Sequence, residues 1–263
     1  MLFEIFPHLL IGPILATLSW VLLIGVVAWC LVFKTRLFNR FVDVPFKSAI
    51  CTILNIIFIF FMAFMGSEFH EVHKSASFHM VKERAAINRL LHADFPTEAL
   101  NRKVELSVQK YLKNVIDVEW RENLNGQESV AVQEAILELS QIVPEARKEC
   151  ASSLLVPCID SLTAANYFQS IDSLREARDF RLSIGTYERE RLRYVLCVLL
   201  ALNAAVAVLT LYRNDKRAAV VPFVMYGVSV WITFLIVVLQ AKPYVGVRAI
   251  EPTILEHVLR QIQ

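Results

Sequence analysis

Glycine is scarce in this sequence, with 7 in 263 residues, and charge is thin, at 20% of the chain against the roughly one quarter usual for a soluble domain. So little glycine excludes a collagen-like repeat, and five cysteines in a chain of this length exclude a small disulfide-stapled scaffold. The formal net charge is only +2, so there is no basic surplus with which to grip nucleic acid. What fills the chain instead is apolar. Residues of that kind make up 56% of it, and the mean hydropathy is +0.49. Such a composition excludes disorder and calls for a lipid bilayer as partner.

The shortage of charge is local. Leu9 to Phe33, Ser48 to Gly66, Tyr194 to Tyr212 and Ala218 to Ala241 contain no Asp, Glu, Lys or Arg, whereas Ser67 to Arg193 holds most of the ionisable residues. A hydrocarbon core about 30 Å thick takes about 20 helical residues, and only helices or closed barrels satisfy their own backbone there. The four stretches therefore read as transmembrane helices. The first is too long for a cleaved signal, lacks a basic leader and has no small-residue cleavage site before Lys34-Thr35-Arg36. The expected fold is an all-α membrane protein: a first transmembrane hairpin over 1–66, an extramembrane helical bundle over 67–193, a second hairpin over 194–241 and a C-terminal tail over 242–263. With no Asp, Glu, Lys or Arg inside a span, proton-relay pumps and voltage sensors are disfavoured.

Four spans place both termini and the bundle on one side of the membrane. The hairpin loops carry Lys34, Arg36, Arg40 and Lys47, then Arg213, Lys216 and Arg217, while residues 1–8 carry no Lys or Arg. Cytoplasmic loops are enriched in these residues, which favours an exported bundle. Arg189, Arg191, Arg193, Lys242 and Arg248 sit near membrane ends on the other side and nearly balance the count.

Within 67–193, Ala, Leu, Glu, Lys, Arg and Gln dominate, and apolar residues recur at three- and four-residue spacing. One helix should continue out of span two to about His92. Thr97 caps the next, whose stripe is Val104, Val108, Tyr111, Leu112, Val115 and Val118; Asn125-Gly126 turns after it. A third helix is expected from about Glu128 to Ile142, interrupted by Pro144. A long one should start near Ser161 and run through Arg181 into span three, with Gly185 a candidate bend. Pro13 and Pro222 read as lying in or near the first turn of their helices, where a missing N–H costs little. Two spans that extend rigidly into a bundle can carry tilts or rotations to a gate, or can simply hold the bundle against the membrane.

Glu83-Arg84-Ala85-Ala86-Ile87 after span two, Tyr111, the pair Glu119-Trp120, and Leu174-Arg175-Glu176-Ala177-Arg178 with Arg181-Leu182 before span three resemble the recurring marks of bacterial bestrophin-like membrane proteins. Lys242-Pro243-Tyr244-Val245-Gly246, followed by Ile250-Glu251-Pro252 and Leu255, is similar to that family's closing segment. The resemblance runs from about residue 48 to the end. It implies an integral protein of the bacterial inner membrane, a homo-oligomer (pentameric by analogy with bestrophins), and an anion channel with span two lining the pore. It also implies a cytoplasmic bundle, against the loop charges. Bestrophins carry an acidic calcium-binding cluster after the last span, but Gly246-Val247-Arg248-Ala249-Ile250 has none, so calcium gating is not expected.

On span two, Ile53, Ile57, Phe60 and Phe64 share one helical stripe. Repeated around an oligomer they would make a hydrophobic constriction that gates by dewetting. The alternative is an ordinary lipid- or helix-facing stripe. Thr52 and Asn55 lie on another face of the same span, where interhelical packing is the leading reading over ion selectivity. One turn beyond the span, His70 and His73 flank Glu71 and are weak metal or pH-sensing candidates. Glu83, Glu119, Arg175, Arg178 and Arg181 form either an inter-helix ion-pair network or a solvated face.

Cys30, Cys51 and Cys197 read as small apolar residues of the spans. Cys150 and Cys158 would form a disulfide if the bundle is exported and stay reduced if it is cytoplasmic. No nucleophile, base and orienting group appear together and no cofactor motif is present, so nothing supports an enzyme. Two functions fit: an oligomeric bestrophin-like protein passing anions, or a non-conducting membrane scaffold or sensor whose helical domain binds a protein partner.

Overall fold

The structure, a computed structural model, describes residues 2–35, 48–123, 125–152, 158–186, 191–212, 214–240, 243–244 and 249–263. Among these residues every regular element is helical. In chain order they are α1 (Leu2–Lys34), α2 (Ser48–Leu91), α3 (Glu98–Asn114), a π-helical segment (Val115–Glu122), α4 (Val130–Ser152), α5 (Ser161–Thr186), α6 (Arg191–Leu211), α7 (Lys216–Gln240) and α8 (Thr253–Ile262). Four are long and apolar enough to cross a bilayer, over Gly12–Lys34, Cys51–Leu91, Leu192–Leu211 and Lys216–Leu239. At 1.5 Å per residue, the 44 residues of α2 extend for about 66 Å, roughly twice a hydrocarbon core.

The chain divides into two compact units. The first comprises Met1–Glu71, Glu188–Lys242 and Gly246–Arg248 and contains the apolar helices. Its core is built from Phe58, Met62, Met65 and Phe69 of α2 against Cys197, Ala201 and Ala204 of α6 and Val230, Phe234 and Val237 of α7, with Ile24 of α1. A second cluster joins Ala28 and Val32 of α1 to Ala205 and Leu209 of α6 and Ala219 of α7. In lipid no hydrophobic force drives helices together, so close packing across small residues must do so; the fully buried Ala201, Ala204, Ala205 and Ala207 of α6 supply it. Polar side chains in these helices are satisfied locally. Thr17 donates to the Pro13 carbonyl at 2.8 Å, Thr210 to that of Val206 at 2.7 Å, and Tyr226 reaches across to the Ala201 carbonyl at 2.8 Å.

The second unit comprises Val72–Tyr187, Pro243–Val245 and Ala249–Gln263. Its core takes Ile87 and Leu90 from α2, Val108, Tyr111 and Leu112 from α3, Val132, Ala135, Leu139 and Ile142 from α4, Tyr167, Ile171 and Leu174 from α5, and Leu255 and Val258 from α8. Each set follows the spacing that brings apolar residues onto one helical face. Residues 242–263, expected as a separate tail, thus end in an amphipathic helix whose Leu255 and Val258 are part of this core.

Several local expectations need correction. Pro144 does not interrupt its helix: α4 runs through it to Ser152. The proline lies on the exposed face, so the Ser140 carbonyl deprived of its partner can turn to water, while Val143 and Ala146 continue the buried stripe. Pro13 and Pro222 likewise lie past the first turn of α1 and α7. Thr97 occupies the cap position of α3 but makes no side-chain cap bond; its carbonyl accepts from Leu100 and Asn101 N–H. Asp160 does cap α5, accepting from Leu162 N–H at 3.1 Å and Thr163 N–H at 3.0 Å; a hydrogen bond from the Thr163 side chain, then these backbone bonds, holds its carboxyl below the usual range. Gly185 lies in α5 without ending it, and its role is clearance: a Cβ there would sit 1.8 Å from the Asn125 carbonyl oxygen. The link 187–190 expected to run helically into span three, most of the loop basic residues, and Val245-Gly246 fall outside the described residues.

Candidate functional site: an outward stripe on span two and a buried ion cluster

In the first unit, α2 has two unlike faces. Cys51, Phe58, Met62, Met65 and Phe69 are buried against the neighbouring spans, at the three-, four- and seven-residue spacing of one face. On the other side Ile53, Ile57, Phe60 and Phe64 are 56%, 45%, 75% and 63% exposed on the single chain. Thr52 is exposed, and Asn55 turns back on its own helix to donate to the Cys51 carbonyl at 3.0 Å. At the end of this stretch Glu68 pairs with Arg193 of α6. His70 is exposed and His73 half-buried. Among the described residues no three His, Cys, Asp or Glu side chains cluster in a way that could hold a metal.

The second unit holds four ionised groups at its centre. Arg181 of α5 donates through Nε to Glu83 Oε2 at 3.0 Å and through Nη2 to Glu119 Oε2 at 2.9 Å. Arg178, one turn earlier, donates to Glu119 Oε1 from Nε at 3.0 Å and from Nη2 at 2.5 Å. Glu83, Glu119 and Arg181 are 0% exposed and Arg178 is 3% exposed. Two carboxylates and two guanidiniums cancel, which is how the bundle tolerates them. An isolated buried charge costs several kcal/mol even after relaxation, whereas a paired, fully hydrogen-bonded one is compensated.

Further donors reach the cluster, although the buried Asn125 Nδ2 finds no partner among the described residues. Tyr111 donates to Glu83 Oε1 at 2.6 Å, Ser129 N–H to Glu119 Oε1 at 3.2 Å, and Arg181 Nη1 to Asn125 Oδ1. Burial, then the neighbouring Glu83 carboxylate, pushes the Tyr111 hydroxyl well above its ordinary pKa, while the carboxylates around Arg181 outweigh burial and keep its guanidinium charged.

Local backbone structure places these groups. Glu119 and Trp120 sit in the π-helical segment, where the Asn123 N–H bonds back to Val118 and the wider turn re-aims its side chains. Asn125 follows at φ 56°, its N–H held by the Glu119 carbonyl at 2.7 Å. The Trp120 ring lies 5.1 Å from the Arg181 guanidinium carbon, and its Nε1 donates to the Ile250 carbonyl at 3.2 Å. Tyr244 packs edge-on against the same ring at 5.4 Å. The cluster therefore ties α2, α3, the π-helical segment, α5 and the C-terminal segment together.

Of the five ionisable residues singled out from sequence, Arg175 stands apart. Its side chain is 45% exposed, and the ion pair it makes among the described residues is with Asp172 on its own helix, at 3.8 Å. It borders a groove of about 450 Å³ with Arg178, Asp179, Val130, Gln133 and Ile136. Tyr111 and Trp120 were visible in sequence as an apolar-stripe residue and a motif residue, but their hydrogen bonds were not. Asn125 could have been suspected from its Asn-Gly pair, since Asn is one of the few residues that accept positive φ.

With this geometry in place, the matches to known proteins are informative. The profile of the bestrophin-like domain matches residues 46–255, most of the chain. The chain belongs to the bestrophin-like family. Its fold is that of bestrophins: a variant of a bacterial bestrophin homologue from Klebsiella pneumoniae superposes with a TM-score of 0.67 at 11% identity, covering 95% of this chain and 97% of that one. Another structure of a homologue from that organism gives 0.62 at 12% identity, with 96% of each chain covered. A further solved membrane protein gives 0.65 at 12% identity, covering 93% and 97%. No curated protein matches by sequence. This bestrophin-like chain is thus an all-helical integral membrane protein.

Proposed function

We propose that this bestrophin-like chain forms a homo-oligomer in a bacterial inner membrane, pentameric by family resemblance, around an axis lined by α2 that passes anions. Ile53, Ile57, Phe60 and Phe64 would form stacked apolar rings that close the path by expelling water and open it when the rings widen. The observation that carries this reading is the two-faced second span. One face is used up in packing against the other spans of its own chain, and the opposite face presents a run of large apolar residues that its own chain leaves uncovered. An apolar constriction does not choose between ions, so anion preference rests on family membership alone.

The deciding experiment reconstitutes the purified full-length chain in liposomes and measures chloride flux, with mass photometry giving the number of subunits. Flux that rises in Phe60→Ala and Ile57→Ala supports the channel. An oligomer that gives no flux in wild type or in either variant overturns it and leaves a non-conducting scaffold.

A further inference from the structure

We infer that Met62, Met65 and Cys197 form a three-sulfur site for a soft monovalent cation of the Cu(I) class, between two helices of the first unit. Met62 and Met65 stand one turn apart on the packed face of α2, and Cys197 meets them from α6. The Cys197 Sγ lies 3.0 Å from the Met65 Sδ and 3.5 Å from the Met62 Sδ. All three side chains are buried, none more than 5% exposed. The chain has five methionines, and two of them converge on one free thiol in a core whose other buried members are Phe, Val, Ala and Ile. Packing alone needs no such convergence, since Leu fills the same space as Met.

Donors and surroundings together choose the ion. Thiolate and thioether sulfurs are soft ligands that select Cu(I), whereas carboxylate, carbonyl and water suit Mg, Ca and Mn. On binding, the Cys197 S–H bond breaks, a sulfur–metal bond forms, the proton leaves to water and no electron moves. One thiolate and one monovalent ion cancel, so the apolar core holds no net charge. A divalent ion would leave one positive charge there uncompensated, which burial penalises heavily. Metal–sulfur bonds of about 2.3 Å in a trigonal set place the sulfurs about 4 Å apart. The two methionines must then draw back by about 0.5–1 Å, which their unbranched, freely rotating chains allow. A way in lies close by. Glu68, three residues after Met65, pairs with Arg193, four residues before Cys197, and their side chains are 29% and 36% exposed. The sulfurs are thus about one helical turn from a carboxylate that a cation can approach. Binding at this site does not depend on conduction by the opposite face of α2.

The test uses the full-length chain in detergent without oxygen, with Cys150→Ser and Cys158→Ser removing the other pair of neighbouring thiols. Cu(I) is titrated in competition with bicinchoninate, and the bound metal is read by X-ray absorption. One Cu(I) per chain is expected, surrounded by sulfur alone at about 2.3 Å. Met62→Leu with Met65→Leu keeps Cys30, Cys51 and Cys197 and nearly the same side-chain volume. Loss of partners that merely orient metal ligands weakens binding about 10–100-fold, so loss of these two ligands should weaken it by about tenfold or more. Ag(I), the redox-inert probe of the same chemistry, should raise the unfolding temperature of the parent chain and not that of the double variant, whose own metal-free transition reports that it folds. Equal affinity in parent and double variant places the metal on a thiol alone and overturns the site. So does a parent chain that binds no Cu(I), or a metal shell containing nitrogen or oxygen, a reading that needs no variant.

Discussion

Arg181 and Glu119 meet at 2.9 Å with neither side chain exposed to water. Arg181 also holds Glu83, so removing it would leave Glu83 with only Tyr111 and Glu119 with only Arg178 and Ser129 from the cluster. Breaking a buried pair from one side costs about 3–5 kcal/mol, because the abandoned charge stays buried. Arg181→Ala and Glu119→Gln should therefore lower unfolding stability by amounts of that order. Arg175→Ala, at a surface pair, should change it by less than about 0.5 kcal/mol. Thermal and denaturant unfolding of the full-length chain in one detergent checks the contrast, and equal losses at Arg175 and Arg181 would refute the central role given to the cluster.

The same cluster makes an alkaline prediction. The Tyr111 hydroxyl is raised well above its ordinary value by burial and by Glu83, and burial also raises Tyr167 and Tyr244. In the unfolded chain these phenols lose their protons near pH 10, while the folded bundle keeps them. The folded state then binds more protons, so stability is intact below about pH 10 and falls as pH rises above it. The slope is about 1.4 kcal/mol per pH unit for each such tyrosine. Tyr111→Phe removes one share of this slope and also takes a hydrogen bond from Glu83, costing about 1–3 kcal/mol at neutral pH. Tyrosinate absorbance should report these residues only as the bundle unfolds; ionisation of all three in the folded protein would contradict the assigned burial.

These cases show which parts of the molecule were legible in its residues. Four uncharged apolar runs and a charge-rich helical insert suffice to place the spans and the all-helical fold, because lipid leaves the backbone no other choice. The split between Arg175 and its neighbours was present as spacing. At about 100° per residue, Arg178 and Arg181 fall on the side of Leu174 and Ala177, and Arg175 lies well round the helix. The rest depended on tertiary context. Nothing local distinguishes a proline that breaks a helix from Pro144, which is tolerated because its face meets solvent. The wider turn at Glu119 is fixed by contacts from α5 and the C-terminal segment, which lie many residues away. The outward stripe of α2 was legible as a stripe, but what covers it belongs to the assembly.

Gly185 and Asn125 give a steric prediction. A Cβ at 185 would enter the Asn125 carbonyl oxygen at 1.8 Å, and that neighbour is backbone held by Glu119, so it cannot rotate away. Gly185→Ala should displace the turn that carries Asn125 and loosen Arg181, costing more than the roughly 1 kcal/mol typical of a point change. Alanine elsewhere in α5 favours helix, so a Gly185→Ala protein as stable as wild type would show the close approach to be wrong.

If the Cys150–Cys158 bridge forms, it closes a nine-residue loop. Loop-closure entropy puts its contribution at about 2–3 kcal/mol, acting mainly on the unfolded chain. Cys150→Ser with Cys158→Ser should lower stability by that amount, and reductant should lower wild type to the level of the double variant while leaving the variant itself unaffected. A reductant effect that survives in the variant would place the sensitive thiol elsewhere.

Phe58 and Phe60 stand two residues apart on α2 and should answer differently to the same change. Phe58 is buried against α6 and α7, so Phe58→Ala opens a cavity and should cost about 3–5 kcal/mol, read as a lower unfolding temperature. Phe60 has no such packing within its own chain and should cost far less in a monomer. If its ring stands in a dewetted constriction, Phe60→Ala widens and wets the narrowest apolar layer, and chloride flux per oligomer should rise severalfold without loss of fold. If the stripe faces lipid instead, alanine leaves flux unchanged. If it serves only as a contact between subunits, alanine lowers the subunit number before it changes any flux, which mass photometry separates from a true gating effect.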